Sequence, residues 1–228
     1  MEMKRSNLCV ALDVQDKNTF LHILDLVAPF VCMIKTHIDI IKEVDSEFIR
    51  TLVEMSNKHD FFIFEDRKFC DIGSTVWRQY EGTLNIVEWS NLVSAQIISG
   101  DGVVRGLKHQ GLPKGNGVVL IAKMTTGTIT DEKHADLCIR MASMHTDFCV
   151  GIMGDRRYSD SFLTFTPGVS LQNNGDELGQ TYNTPEAVIS NGADIIIIGR
   201  SIIESCDIEE SCRSYRDLCW QLYTAKLK

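Results

Sequence analysis

The chain has 228 residues, of which 44% are hydrophobic and 24% charged, and its formal net charge is −8. This composition is typical of a globular protein with a large hydrophobic core, and it argues against the intrinsically disordered and membrane classes. The acidic balance argues against broad binding to nucleic acids or to anionic membranes, because both need a basic surface.

Eight runs of strand-forming apolar residues recur along the sequence. They predict strands at Leu8–Leu12, Val31–Ile34, Phe61–Phe64, Leu92–Ile98, Val118–Ile121, Phe148–Met153, Phe162–Phe165 and Ile195–Ile198. The intervening segments predict helices at 17–27, 44–58, 75–88, 102–109, 131–145, a poorly defined 155–160, 184–191 and 207–226. Strands that alternate with helices pair in parallel through right-handed crossovers. We therefore expect an α/β fold, a (β/α)8 TIM barrel, with residues 1–228 as a single domain, because a doubly wound sheet usually has fewer strands.

The stretch from Phe61 to Val76 combines a buried strand with a cluster of charges. Four apolar residues are followed at once by Glu65-Asp66-Arg67-Lys68, and Gly73-Ser74 supplies a turn. Asp66, Lys68 and Asp71 can face a common space only where the strand ends, and there two carboxylates would hold one ammonium group. The competing interpretation is a solvated loop whose surface ion pairs each contribute little.

Polar residues also follow the other predicted strands. Active sites of such barrels form at the C-terminal ends of the strands and in the loops that follow them. The residues at these ends are Asp13, Lys35 with His37, Asp66 to Asp71, Gln96 to Asp101, Lys123 with Thr125, Thr166-Pro167-Gly168, and Gly199-Arg200. Random surface charge would fall equally on the opposite rim, so the sequence predicts a site at this one.

The longest polar loop, 170–183, follows the seventh predicted strand. Long ordered loops are often lids, and phosphate sites in this fold favour the loops after strands seven and eight. Arg200 would add a forked cationic donor to such a site. The alternative for Gly199-Arg200 is an ordinary strand-end turn with a solvated arginine.

The cysteines and the N-terminal segment indicate a protein that stays inside the cell. None of the eight cysteines forms a CxxC pair, and Cys9, Cys32, Cys138 and Cys149 lie in apolar contexts, so we expect reduced core thiols and no zinc site. No apolar run approaches 18 residues and residues 1–10 show no signal-peptide pattern. We expect a cytoplasmic protein with neither a nucleic-acid nor a membrane partner.

Several motifs resemble those of the orotidine 5'-monophosphate decarboxylase family, most of all the decarboxylase half of the bifunctional UMP synthase of animals. The motifs run in the expected order and are Lys-Thr-His-Ile-Asp-Ile at 35–40, Phe-Glu-Asp-Arg-Lys-Phe-Cys-Asp-Ile-Gly-Ser-Thr-Val at 64–76, Gln-Tyr-Glu-Gly at 79–82, Thr-Pro-Gly-Val at 166–169, Gly-Gln-Thr-Tyr-Asn at 179–183 and Asp-Ile-Ile-Ile-Ile-Gly-Arg at 194–200.

The resemblance implies a homodimeric barrel that converts orotidine 5'-monophosphate to UMP and CO₂ without a metal or an organic cofactor. Lys68 would donate the proton to C6 of the pyrimidine, and Lys35, Asp66 and Asp71 would complete the catalytic charged network. Asp71 and Thr75 would reach into the partner subunit's site. The implied substrate-binding residues are Asp13, Lys35, His37, Asp71, Ile72, Thr75, Thr125, Pro167, Gln180, Tyr182 and Arg200.

The chain departs from the usual family pattern at a few positions. Ser94 and Gln96 stand where Asn-Ala-His is usual, and Lys123 and Thr125 stand where Ala-Glu-Met-Ser-Ser is usual. The extra methyl group of Thr125 could cost ~1–3 kcal/mol by overpacking. These departures keep a second hypothesis open, a decarboxylase homologue that has lost activity and works by contacting other proteins. A third, another phosphosugar barrel enzyme, explains the phosphate site but not the Lys/Asp/Lys/Asp set.

Overall fold

Eight parallel strands close into a barrel in which each strand pairs with the next and the eighth pairs with the first. The structure is a computed structural model that describes residues 1–126, 130–171, 179 and 181–226. The (β/α)8 barrel that the sequence predicts is therefore confirmed. The strands are β1 Leu8–Ala11, β2 Met33–Thr36, β3 Phe62–Phe69, β4 Leu92–Ala95, β5 Gly117–Ile121, β6 Cys149–Met153, β7 Leu163–Thr166 and β8 Ile195–Ile198.

Helices cover the outside of the barrel and bury one apolar face each. They are α1 Lys17–Val27, α2 Ser46–His59, α3 Gly73–Glu81, α4 Ile86–Trp89, α5 Gly102–Gly111, α6 Glu132–Met144, α7 Pro185–Ser190, α8 Arg200–Ile203 and α9 Ile208–Lys226. Asp16, Asp45, Asp131 and Thr184 cap four of them by accepting hydrogen bonds from backbone N–H groups of the first turn. Short 3₁₀ turns lie at Ile38–Ile40 and Leu112–Lys114.

The core has two parts, because successive side chains of a strand point to opposite faces of the sheet. One set packs inside the barrel, where the rings of Phe64 and Phe165 lie 5.8 Å apart. The larger set lies between the strands and the helices and includes Phe20, Phe48 and Tyr80. The interior apolar cluster ends below the C-terminal rim, which leaves room there for polar side chains.

The third strand is longer than the sequence predicts. It runs through all four charged residues to Phe69 rather than ending at Phe64, and its register against β4 shifts between Glu65 and Phe69. Lys68 within this bulge has a φ of 52°, in the left-handed region that few residues other than glycine adopt. The charged residues remain in the strand because the Glu65 and Asp66 carboxyl groups both have hydrogen-bond donors beside them.

Four other local features differ from the prediction. The predicted helix at 75–88 is divided into α3 and α4, because Gly82 leaves the helical region and Asn85 has a φ of 42°. Residues 155–160 form no helix. The short helix α8 after the eighth strand was not predicted, and β4 ends at Ala95 rather than at Ile98.

Helices α3 and α5 approach each other so closely that a side chain at Gly106 would meet the backbone of α3. A Cβ added to Gly106 would overlap the carbonyl of Gly73, whereas one added to Gly102 would lie 3.4 Å from its nearest atom. We expect Gly106→Ala to lower the free energy of unfolding by about 1–3 kcal/mol, because the atoms in the way belong to the backbone. Gly102→Ala is the matched control and should change it by less than about 1 kcal/mol. Urea unfolding measures both, and an unchanged midpoint for Gly106→Ala would contradict the contact.

Two further observations concern the helices and the cysteines. Across the part of the chain that the structure describes, no helix is both long enough and apolar enough to span a membrane. All eight cysteines are free thiols; Cys70 and Cys206 are exposed and the other six are buried.

Candidate active site

A cavity of about 230 Å³ opens at the C-terminal rim of the barrel. The ends of strands β1, β2, β3, β5, β6, β7 and β8 all contribute to its wall. Sequence-predicted residues that line it are Asp13, Lys35, Asp66, Lys68, Thr125, Pro167, Tyr182 and Arg200. The rim predicted from the sequence therefore does bring these side chains together around one space.

Asp66 lies at the centre of the charged cluster and is almost fully buried. Its Oδ2 is 2.6 Å from the Lys68 Nζ and 3.6 Å from the Lys35 Nζ. His37 Nε2 lies 3.5 Å from the same oxygen. One carboxylate thus faces two ammonium groups and an imidazole.

A second carboxylate extends this cluster towards β1. Asp13 Oδ1 accepts a hydrogen bond from Lys35 Nζ at 3.0 Å, and it lies 4.0 Å from His37 Nε2. Asp13, Lys35, Asp66 and Lys68 therefore form a row of alternating charge along the cavity wall, with each ammonium group beside at least one carboxylate.

Burial and neighbouring charges oppose each other within this row. Burial alone would raise the pKa of Asp66, but the charges of Lys35 and Lys68 lower it below its ordinary value. Burial alone would lower the pKa of Lys35, but Asp66 and Asp13 raise it above its ordinary value. For His37, burial and the Lys35 charge lower the pKa. Asp66 and Lys35 are thus both charged at neutral pH.

Ser94 on β4 makes hydrogen bonds to two residues of the β3 bulge, Asp66 and Lys68. Its Oγ donates to Asp66 Oδ1 at 2.6 Å and accepts from the backbone N–H of Lys68 at 2.9 Å. This hydroxyl holds the carboxylate beside Lys68 and supports the left-handed backbone of that lysine. The sequence had identified Ser94 only as a departure from the family pattern, and its role follows from the shifted pairing of two strands.

Arg200 and Tyr182 also line the cavity. The Arg200 Cζ lies 5.6 Å from the centre of the Tyr182 ring, within the range of a cation–π contact. Thr181 Oγ1, at the end of the long loop, donates to the Thr125 carbonyl at 2.8 Å. This contact joins the loop after β7 to the loop after β5. Gln180, which was expected to act with Arg200 and Tyr182, is outside the described residues.

Asp71, Ile72 and Thr75 do not line the cavity of their own chain. The Asp71 carboxylate accepts the Ile72 N–H at 2.7 Å, and the ion pair that Lys68 makes is with Asp66. Within a single chain the Lys68 ammonium thus lies beside Asp66 and lines the cavity, and the place of Asp71 in the charged network stays a prediction.

Lys123 borders the cavity beside Thr125. Its Nζ lies 2.6 Å from Asp155 Oδ2, and the other oxygen of Asp155 accepts from the Tyr158 hydroxyl at 2.7 Å. The lysine that reverses the charge usual in the family is thus compensated by a carboxylate from the loop after β6.

The described residues include one group of potential metal ligands near the cavity, His37, Asp39 and Glu65, whose ligand atoms lie within 4.8 Å of one another. Two of these three residues already interact with other groups. Glu65 accepts hydrogen bonds from Thr36 and Ile38, and Asp39 lies 3.7 Å from Arg67. We assign no metal to this group.

This geometry suits chemistry on a small molecule with an anionic group at one end. Arg200 offers charged donors to that group, and the row of alternating charge faces the space beside it. The Lys68 ammonium can supply a proton or stabilise negative charge that develops on a bound molecule.

The family model described as "Orotidine 5'-phosphate decarboxylase / HUMPS family" matches residues 6–215. Among curated proteins, the chain is 41% identical to orotidine 5'-phosphate decarboxylase of Phycomyces blakesleeanus, over all of this chain and 88% of that protein. The Schizosaccharomyces pombe enzyme of the same name is also 41% identical, over all of this chain and 89% of that protein.

Uridine 5'-monophosphate synthase of Bos taurus is 39% identical, over all of this chain and 48% of that protein. The special likeness to the animal domain that the motifs suggested is thus not seen in these identities. A crystal structure of orotidine 5'-monophosphate decarboxylase from Methanocaldococcus jannaschii, complexed with the inhibitor BMP, has a TM-score of 0.74 and 19% identity. It covers 93% of this chain and 97% of that one, which supports the fold.

Proposed function

The chain belongs to the orotidine 5'-phosphate decarboxylase / HUMPS family, and from this premise we propose that it converts orotidine 5'-monophosphate to UMP and CO₂. The observation that carries the proposal is the Lys68 amine, held 2.6 Å from Asp66 in a cavity that Arg200 also lines. The protein is thus a carboxy-lyase of pyrimidine nucleotide biosynthesis.

The chemistry requires a stabilised carbanion. The bond between C6 and the carboxylate carbon breaks, CO₂ leaves, and the electron pair stays on C6. A site accelerates this step only if it stabilises the developing negative charge more than it stabilises the starting carboxylate. The Lys68 ammonium does so when it lies beside C6, because the charge develops after the substrate has bound.

Lys68 then completes the reaction as the acid. Its N–H bond breaks, the proton bonds to C6, and the neutral amine regains a proton from water. Asp66 favours the ammonium form before the reaction, since their separation is that of a charge-assisted hydrogen bond. Lys35 in turn keeps Asp66 ionised.

The other residues of the cavity bind the substrate. We assign Asp13, Lys35 and His37 to the ribose hydroxyls, and Thr125 with Pro167 to the pyrimidine side of the cavity. Arg200 and Tyr182 bind the 5'-phosphate, together with Gln180. The hydrogen bond between Thr181 and the Thr125 carbonyl supports this arrangement, because it joins the loop that would close over the phosphate to the wall beside the pyrimidine.

A homodimer completes the site in this proposal, with Asp71 and Thr75 contributed to the partner's cavity and Ile72 beside them. The support is that Asp71 is not among the residues that line the cavity of its own chain. Large apolar side chains are also exposed in the segments that follow β3 and β4: Ile72 is 61% exposed and Ile98 is 72% exposed. Such exposure near a half-built site is what a second copy would cover.

The dimer is tested by mixing two inactive variants, Lys68→Ala and Asp71→Ala. If Asp71 acts in the partner's site, a mixed dimer contains one intact site, and random exchange of subunits restores about a quarter of the wild-type activity. The variants are mixed after mild unfolding and refolding, and turnover is measured. No recovery, with subunit exchange verified by mass, would assign Asp71 to its own chain.

The phosphate is expected to contribute to the rate as well as to affinity. Binding energy from a distant group can order the loop and position the ring, so orotidine, which lacks the phosphate, should show a kcat lower by about 10²-fold or more. Steady-state kinetics with both substrates measures this. A raised KM with an unchanged kcat would mean that the phosphate adds uniform binding only.

The direct experiment follows the absorbance change when the purified protein is mixed with orotidine 5'-monophosphate. Turnover supports the proposal. Binding of UMP without turnover would instead select a homologue that kept the nucleotide site and acts through protein contacts. A cytoplasmic location is also part of the proposal, supported by eight free thiols of the kind that persist in a reducing compartment. A closer descent from the animal bifunctional enzymes rests on the motifs alone.

A further inference from the structure

Glu65 is a buried carboxyl group that the proposed mechanism does not use. It has no solvent exposure and lies next to Asp66 on β3. Because neighbouring residues of a strand point to opposite faces, Asp66 faces the cavity and Glu65 faces the layer between the strands and the helices. A fully buried carboxyl group is costly unless its oxygens are satisfied.

The donors that satisfy Glu65 come from the segment after β2. Thr36 Oγ1 donates to Glu65 Oε2 at 2.5 Å, and the Ile38 N–H lies 3.1 Å from the same oxygen and 3.2 Å from Oε1. Thr36 and Glu65 are also direct partners in the pairing of β2 with β3. The residue between these two donors is His37.

His37 makes longer side-chain contacts than Glu65 does. It stands at the start of the 3₁₀ turn Ile38–Ile40 and makes no side-chain capping bond, while its ring reaches Asp66 at 3.5 Å and Asp13 at 4.0 Å. A carboxyl group that binds the residue on each side of His37 fixes the backbone from which this ring projects.

We propose that Glu65 is a positioning residue that holds the His37 imidazole towards the ribose side of the cavity, through Thr36 Oγ1 and the Ile38 N–H. The assignment of His37 to the substrate rests on the proposed function. The role of Glu65 in fixing the His37 backbone does not depend on the proposed function.

The protonation of Glu65 suits this role. Burial raises the pKa of Glu65 to about 8, although the Thr36 and Ile38 donors lower it. Near pH 7 the group is mostly a neutral acid, which accepts both hydrogen bonds without placing a second full charge beside Asp66. The ionisable groups around His37 are Asp13, Lys35, Asp39, Glu65, Asp66 and Lys68.

The test is a double-mutant cycle with Thr36→Val, which keeps the side-chain shape and removes the hydroxyl, and His37→Ala. Thr36→Val should lower kcat/KM for orotidine 5'-monophosphate by about 10-fold, mostly through KM, because displaced groups lose much of their effect. In the His37→Ala background the same change should cost less than about twofold. An equal loss in both backgrounds would mean a general structural role and would overturn the proposal.

Two further variants separate positioning from stability. Ser56→Ala removes another buried hydroxyl bond of 2.5 Å, to the Phe61 carbonyl at the other end of the same strand, and should leave KM unchanged. Thr36→Ser restores the hydroxyl and should recover most of the wild-type KM. If Ser56→Ala raises KM as Thr36→Val does, or Thr36→Ser fails to recover it, the effect is not specific to His37.

A readout without substrate keeps this proposal separate from the proposed function. The His37 ring resonance, assigned with His37→Ala, is titrated by NMR in the wild type and in Thr36→Val. Burial and Lys35 lower the pKa of His37, so we expect the midpoint of this titration to be low in the wild type. In Thr36→Val the hydrogen bond to Glu65 is lost and the ring moves to solvent, so the midpoint should rise towards the ordinary value. An unchanged midpoint would overturn the positioning role even if the protein decarboxylates. A shifted midpoint in a protein without turnover would support the positioning role of Glu65 and contradict the proposed function.

Discussion

Replacing Lys68 by alanine is expected to lower kcat for orotidine 5'-monophosphate by about 10⁴-fold or more, because one change removes both the acid and the cation that faces the developing charge. Each of these effects alone is worth about 10²–10³-fold or more in other enzymes. The KM should change far less, since the phosphate and ribose contacts remain. Single-turnover kinetics on the absorbance change measures the chemical step directly.

The chain offers a closely matched control for this substitution. Lys108 Nζ lies 2.6 Å from Asp147, the same distance as Lys68 from Asp66, and the two lysine side chains are 27% and 29% exposed. Lys108→Ala removes an equivalent ion pair far from the cavity and should leave kcat unchanged. If Lys68→Ala retained a tenth of the wild-type kcat, another group would have to donate the proton.

Asp66→Asn is expected to reduce both activity and stability. The amide keeps a hydrogen bond with Ser94 but leaves the buried Lys35 with Asp13 alone and Lys68 without its partner. Removing one member of a buried ion cluster typically costs about 3–5 kcal/mol of unfolding free energy. We expect kcat to fall by about 10³-fold, because Lys68 loses the carboxylate that lies 2.6 Å from its amine and orients it.

The unfolding free energy that Asp66→Asn loses should become smaller as the pH falls. The pKa of Asp66 is lower in the folded chain, so its stabilising contribution is present above the ordinary unfolded value of about 3.9 and is lost as pH falls through the folded value. The difference between wild type and Asp66→Asn in urea unfolding should therefore narrow below about pH 4. Asp147→Asn, which breaks the exposed pair with Lys108, should cost far less, because solvent screens the charges of that pair. A similar cost for the two variants would show that Asp66 is no more than a surface partner.

The barrel and most of its rim were predictable from the sequence because both depend on periodic signals. Eight apolar runs alternate with helical segments, and the parallel strands that they form end at the same rim. The position of Lys68 or Arg200 directly after a buried run was therefore enough to place each side chain at the cavity.

The connections between neighbouring strands were not predictable in the same way. The bulge at Lys68 depends on the Ser94 hydroxyl of β4, and the satisfaction of Glu65 depends on Thr36 of β2. Neither contact leaves a trace in local spacing, since each joins residues 26 or more positions apart. The place of Asp71 stays a prediction, because this residue does not line the cavity of its own chain and the role expected for it lies in a partner subunit.

The two adjacent carboxyl groups of β3 give the folded chain opposite responses to acid and alkali. Asp66 favours the folded state only when it is ionised, whereas Glu65 favours it when it is protonated, with a pKa of about 8 against about 4.5 for an exposed glutamic acid. The contribution of Glu65 is complete below about pH 4.5 and declines as pH rises towards about 8. A purification buffer on the slightly acidic side of neutrality therefore favours the native protein over an alkaline one, a practical result of placing consecutive acids on opposite faces of one strand.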